Sequence, residues 1–216
     1  MARGIATAGD GDASEAGALP ADDRLAKRNA LLFAGAQAFG GAMMSVNIAL
    51  GGLAGAYLMP GAEILATLPV STMVVGTACG TIPAALLMQR IGRRPGFLIG
   101  AGIGAAGGLL AAFAILIGSF WLMCLGTFVA GSAFAFVQQY RFAAADVASP
   151  AFRPKAISWV LAGGLAAAVI GPQTVIHTKD LFAPIAFAGA YVGQAVLCLL
   201  AMVFLVFVRV PRPPRL

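Results

Sequence analysis

Long apolar stretches separated by short polar turns make up the chain from about residue 30 to residue 208. A helix needs roughly 20 apolar residues to cross a hydrocarbon core about 30 Å thick. The uncharged run from residue 95 to 140 is too long for one crossing, and Gly118-Ser119 is its natural turn. We therefore predict an all-α membrane protein with six spans, near residues 30–58, 64–88, 97–117, 120–140, 156–176 and 181–208.

Composition supports this class of protein, since hydrophobic residues make up 60% of the chain and charged residues only 10%. A typical soluble domain carries about 25% charged residues. The low-complexity mixture at residues 1–28 predicts a disordered cytoplasmic tail ahead of a bundle at 29–208. Residues 209–216 form a basic tail or the start of a central loop. The cysteines lack metal-site spacing, so neither a metal nor a cofactor is indicated.

The basic residues predict the orientation of the bundle. All of the 14 lysines and arginines except Lys179 fall in the tail or in turns on one predicted side. Cationic turns stay on the cytoplasmic side, so both termini are expected there, facing anionic lipid of the bilayer. The net charge of +6 forms no continuous face, which argues against a nucleic-acid partner.

Four polar residues lie within or at the ends of the predicted spans and are candidates for a substrate cavity: Gln37, Asn47, Gln138 and Arg141. The amides could bind a solute or hydrogen-bond between helices. Arg141 could attract an anionic solute, pair with Asp146 at an inner gate, or extend to the membrane interface. None of the eight carboxylates lies at mid-membrane, and this favours a neutral or anionic organic solute over a cationic one.

The turn between the second and third spans carries a family motif. Residues 85–94 follow the pattern G-x-x-x-D-(R/K)-x-G-(R/K)-(R/K), with Ala85 in place of the glycine and Gln89 in place of the aspartate. Asp146, Pro150 and Arg153 resemble the residues that close the fourth helix, and Gly171-Pro172 resembles an antiporter-type motif of the fifth. In order and spacing, Arg24 to Val210 resembles the amino-terminal six-helix half of a major facilitator superfamily transporter.

The resemblance implies a twelve-helix architecture in two halves, with the first and fourth helices lining a central cavity. It also implies an inner gate formed by Gln89, Arg90, Gly92, Arg93, Arg94, Asp146 and Arg153. Independently, Pro83 in the second span and Gly171 and Pro172 in the fifth predict helix bends at matching positions of two inverted three-helix repeats.

The expected function is secondary active transport of an unidentified small organic solute by alternating access across the inner or plasma membrane. Because one bundle is only half of such a carrier, three arrangements remain open: a homodimer, a separately encoded second half, or a truncated gene product. The alternative is a non-transporting membrane scaffold or regulatory protein. An enzyme is not expected, because Ser132 would need a nearby base and His177, the one histidine, is predicted at an outer turn.

Overall fold

The computed structural model describes residues 23–61 and 63–209, and within these ranges the chain is helical with no strand. The α-helices are α1 (Asp23–Leu58), α2 (Leu68–Ile91), α3 (Arg93–Leu116), α4 (Phe120–Val137), α5 (Tyr140–Asp146), α6 (Arg153–Thr178) and α7 (Ala188–Val206). A 3-10 turn, Glu63–Leu65, precedes α2. With α4 and α5 counted as one span, Phe120–Asp146, the described part of the chain has six helices long and apolar enough to cross a membrane. The predicted fold class is confirmed.

Several helix ends differ from those predicted. The helix α1 begins at Asp23, six residues before the expected start of the bundle, and the fourth span continues to Asp146 beyond a break at Gln138 and Gln139. The predicted start of the sixth span at Leu181 is wrong, because α7 begins at Ala188. There the Phe187 amide donates to the Lys179 carbonyl oxygen at 2.8 Å and closes a turn. The apolar composition of residues 181–187 concealed this turn.

The basic turn between α2 and α3 reduces to a single residue, Gly92. Its φ of 95° and ψ of 161° lie in a region that is essentially restricted to glycine. The Gly92 amide donates to the Met88 carbonyl oxygen at 3.0 Å and ends α2, and α3 starts at the next residue. Gly92 is therefore the single residue between α2 and α3, and Arg93 and Arg94 are the first two residues of α3.

The helices pack in a symmetrical arrangement. The main neighbour of α1 is α6, and the main neighbour of α2 is α4. The helices α3 and α7 pack on each other, and they also pack on α4 and α1 respectively, on one side of the bundle. Exchanging α1–α3 with α4–α7 carries the first pairing onto the second, as two inverted three-helix repeats require. We call the side of α1 and α4 that faces away from α3 and α7 the open face.

Close backbone approach at glycines holds both symmetrical pairings. Gly163 of α6 meets the backbone of Ala34 in α1, and Gly131 of α4 meets the backbone of Met73 in α2. The prolines predicted to bend these helices do not interrupt them, since α2 and α6 remain helical through Pro83 and Pro172. Gly171 instead allows contact, because an added Cβ would lie 3.0 Å from the Ala42 carbonyl oxygen of α1.

Both described termini lie at the same end of the bundle, which we call the basic end. It comprises the start of α1, the α2–α3 junction, the α5–α6 turn and the end of α7. Phe33, Phe97 and Tyr140 from α1, α3 and α5 pack together there, with ring centroids 5.0–5.9 Å apart. That the basic end faces the cytoplasm stays a prediction. The predicted tails at residues 1–22 and 210–216, and the side chain of Glu63, lie outside the described parts of the chain.

Candidate functional site

An ion pair joins the α2–α3 junction to the end of the fourth span. Arg93 is the first residue of α3 and Asp146 the last residue of α5, and their side chains form a salt bridge at the basic end. Each charge sits at the helix end where the macrodipole disfavours it, so each gains from the other. The side chains remain 32% and 51% exposed, which means that water can replace the contact at little cost. This geometry suits a latch that closes and opens.

The other residues predicted at the gate do not join this pair. Gln89 and Arg90 are exposed at the end of α2, and Arg153 is exposed at the start of α6. Arg94 points to a different helix, donating from Nη2 to the Val206 carbonyl oxygen at 2.5 Å. The structure therefore divides the predicted gate into one ion pair, one contact with α7 and three exposed side chains.

The end of α7 is held by side chains from α1 and α3. Asn29 is fully buried; its Nδ2 donates to the Arg209 carbonyl oxygen at 2.7 Å and its Oδ1 accepts from the Arg209 amide at 3.2 Å. Arg28 Nη2 donates to the Phe207 carbonyl oxygen at 3.3 Å. Carbonyls at a helix end lack partners within the helix, and cationic donors suit them. The sequence analysis did not identify Asn29. Its position directly after Lys27 and Arg28, as an amide next to a basic cluster, is the feature that could have identified it.

A second polar contact is buried between α1 and α7. Asn47 Nδ2 donates to Gln194 Oε1 at 2.6 Å and to the Met43 carbonyl oxygen at 2.8 Å. Both amide side chains are fully buried. Because α7 lies behind α1, away from the open face, this arrangement favours the interhelical role of Asn47 over contact with a solute. Gln194 was not among the residues that the sequence analysis selected. Like Asn47, however, it is an amide in an otherwise apolar span, and that feature could have identified it.

Removing one amide of this pair is expected to cost more than removing both. Asn47→Leu leaves the buried Gln194 amide without its partner, so we expect a loss of about 1–2 kcal/mol in unfolding free energy. The double variant Asn47→Leu/Gln194→Leu should recover most of it, since no polar group is then stranded. Thermal unfolding in detergent measures both, with the exposed amide variant Gln173→Leu as the control. Additive losses in the double variant would contradict the pairing.

The remaining cavity candidates lie apart from Asn47. Gln37 is half-buried where α1 meets α6, close to Gly164, whose added Cβ would lie 3.8 Å from Gln37 Nε2. Gln138 is exposed at the break between α4 and α5. Arg141 is half-buried, and its guanidinium lies 4.9 Å from the ring centroid of Phe142. Asp146 is paired with Arg93, so the structure does not bring Arg141 into the gate pair.

Comparison with known proteins adds the family. The model of the Major Facilitator Superfamily matches residues 30–216. The riboflavin transporter RfnT of Brucella anthropi is 46% identical over 191 residues, covering 88% of this chain and 48% of that protein. The uncharacterized MFS-type transporters YdeG and YddS of Bacillus subtilis are 31% identical over 192 residues and 34% over 165 residues, covering 88% and 74% of this chain. The matched segments make up 44% of YdeG and 36% of YddS. The chain therefore spans about half or less of the length of these three relatives.

Proposed function

Because the chain belongs to the major facilitator superfamily and is an integral, multi-pass membrane protein, we propose that it supplies one six-helix bundle of an alternating-access carrier for riboflavin or a closely related flavin. The observation that carries the proposed solute is the 46% identity to the riboflavin transporter RfnT over 88% of this chain. Relatives of this kind are carriers rather than enzymes.

The charge distribution of the spans agrees with a neutral solute. Riboflavin carries no net charge at neutral pH, and its ring system is planar and amphipathic. The sequence has no Asp, Glu, Lys, Arg or His at positions 29–62, 64–89, 95–140, 156–176 and 181–208. A buried carboxylate or ammonium facing such a solute would need a partner or lose its charge, at a cost in free energy. These uncharged stretches avoid that cost.

The packing of the bundle supports alternating access. The glycine contacts of α1 with α6 and of α2 with α4 bring backbones together, so each pair is suited to move as a rigid unit. The Arg93–Asp146 pair, by contrast, is half-exposed and can break in water. We therefore assign the rocking motion to whole helices and the switch between states to this ion pair.

A second six-helix bundle is the proposed partner. Alternating access needs two bundles around a shared site, and the open face of α1 and α4 is available for one. A second copy of this chain or a separate chain that corresponds to the rest of the relatives would both serve. The solute would then lie between the two bundles.

A chimera tests the proposed solute without requiring the partner to be known. In it, this chain replaces the matching segment of RfnT, and uptake of labelled riboflavin is measured in cells that require external riboflavin. We expect saturable uptake that excess unlabelled riboflavin abolishes and a cationic compound of similar size does not. The corresponding YdeG segment, at lower identity to this chain, provides the control chimera. A chimera present in the membrane that takes up no more riboflavin than the YdeG control would reject riboflavin as the solute.

A further inference from the structure

An apolar groove of about 530 Å³ runs between α6 and α7 at the end of the bundle opposite the basic end. Two glycines of α7 bring the helices together beside it: Gly189 meets the backbone of Thr178, and an added Cβ on Gly193 would lie 2.7 Å from Thr174 Cγ2. Its walls include Val169 of α6 and Val196 of α7, which are 63% and 49% exposed. Side chains this exposed leave the groove open along its length.

The groove does not belong to the open face. The helix α6 packs on α1 through one face, which carries Gly163, Ala167 and Gly171, and the groove lies on its flank toward α7. Leu109 of α3, which is 52% exposed, does not line the groove. Since α7 lies behind α1, a bundle docked on the open face would leave the α6–α7 groove facing the membrane.

The wall of the groove offers almost no polar groups over most of its length. Thr174 Oγ1 donates to the Ile170 carbonyl oxygen at 2.8 Å, and Thr178 Oγ1 donates to the Thr174 carbonyl oxygen at 2.5 Å. Both hydroxyl donors are thereby used within α6. The polar side chains that line the groove otherwise are Gln173 and His177, one turn apart and both exposed at its edge. Such a surface matches a hydrocarbon chain.

The length and position of the groove match one leaflet of a bilayer. Its lining residues span 169–178 on α6 and 189–197 on α7. At about 1.5 Å per residue these stretches are roughly 12–14 Å long, close to half of a hydrocarbon core of about 30 Å. One end of the groove coincides with the end of α6, where Lys179 follows. Lys179 Nζ contacts Asp180 Oδ2 at 2.8 Å and is partly exposed, so it retains further donors.

We propose that this groove is a binding site for a single phospholipid. One acyl chain lies against Val169, Val192 and Val196, and the phosphate lies beside His177 and Lys179 at the membrane interface. The bound lipid fills the gap between α6 and α7, which the side chains of neither helix fill. This site is separate from the proposed solute path and does not depend on the identity of the solute.

Retention of lipid by the purified chain tests the site. After fixed detergent washing, native mass spectrometry of the unaltered chain is expected to show one retained phosphatidylglycerol. Val196→Trp fills the groove and should lower the retained fraction at least about fivefold, equivalent to about 1 kcal/mol. Leu109→Trp adds the same ring at an exposed position of α3 outside the groove and should leave retention unchanged. Equal retention by the two variants, or none by the unaltered chain, would overturn the proposal.

A second measurement uses the unaltered chain, so its result does not depend on whether the tryptophan variants fold. Phosphatidylglycerol with a photoactivatable acyl chain is incorporated into nanodiscs with the protein, and the cross-linked peptides are identified. We expect adducts concentrated on the peptide containing Val192 and Val196 and depleted on the peptide of α3 containing Leu109. Uniform labelling of both peptides would show bulk lipid only and reject a site. Lys179→Gln should weaken retention of phosphatidylglycerol without moving the adducts, because it changes the headgroup contact alone.

Discussion

Reversing one charge of the gate pair, by Arg93→Asp, is expected to lower transport at least about tenfold, equivalent to about 1.4 kcal/mol, while the bundle stays folded. The substitution sets two carboxylates against each other where Arg93 and Asp146 now form an ion pair. The state in which the start of α3 contacts the end of α5 then becomes less stable than the state in which these two ends are apart. A carrier that cannot populate both states cannot complete its cycle.

Folding should be nearly unaffected by this change. The two side chains are 32% and 51% exposed, and ion pairs at such positions contribute only about 0–1 kcal/mol to stability. Loss of transport combined with an unchanged unfolding temperature would therefore identify a conformational role. Both quantities can be measured on the riboflavin-transporting chimera.

Two further variants decide whether the pair itself is responsible. The exchange Arg93→Asp/Asp146→Arg restores opposite charges at the contact and should recover at least part of the transport. Arg90→Asp makes the same charge change at an exposed residue of the same region outside the pair, and it should have a much smaller effect. If Arg90→Asp reduced transport as strongly, or the exchange recovered nothing, local charge rather than the ion pair would explain the loss.

The largest loss of stability is expected from Gly131→Ala, at about 3 kcal/mol. A Cβ at Gly131 would overlap the backbone of Met73, which belongs to α2 and cannot move without the whole helix. Thr77 Oγ1 also bridges this contact, 3.0 Å from the Gly131 carbonyl oxygen and 3.0 Å from that of Met73. Separating α2 from α4 would therefore weaken a hydrogen bond as well as the packing.

Thermal unfolding of the purified chain in detergent measures this loss. The matched control is Gly102→Ala in α3, where an added Cβ would lie 3.7 Å from Met202 Cε, an ordinary contact distance. That change should be neutral or stabilising, because alanine favours a helix over glycine by up to about 1 kcal/mol. If the two variants unfolded at the same temperature, close backbone approach at Gly131 would not be limiting stability.

The region of the Arg93–Asp146 ion pair was predictable from the sequence as a candidate gate, but the contact itself was not. The motif at residues 85–94 identified the turn, and the resemblance included both Arg93 and Asp146. The sequence analysis nevertheless left Arg141 as a possible partner of Asp146, since it lies in the same helix end. The choice of Arg93 depends on where α3 begins relative to α5. A shift of one residue at a helix start rotates a side chain by about 100°, so only the tertiary structure decides which arginine reaches the carboxylate.

The amino-acid sequence by itself determined that the chain is a helical membrane protein with six spans, because partition into a bilayer depends on the apolar composition and length of each segment. Only the tertiary structure decided that Asn47 pairs with Gln194, that Asn29 holds the end of α7, and that α6 and α7 leave a groove. The two hydrogen-bonded contacts join residues 147 and 180 positions apart, and local composition contains no information about such pairings.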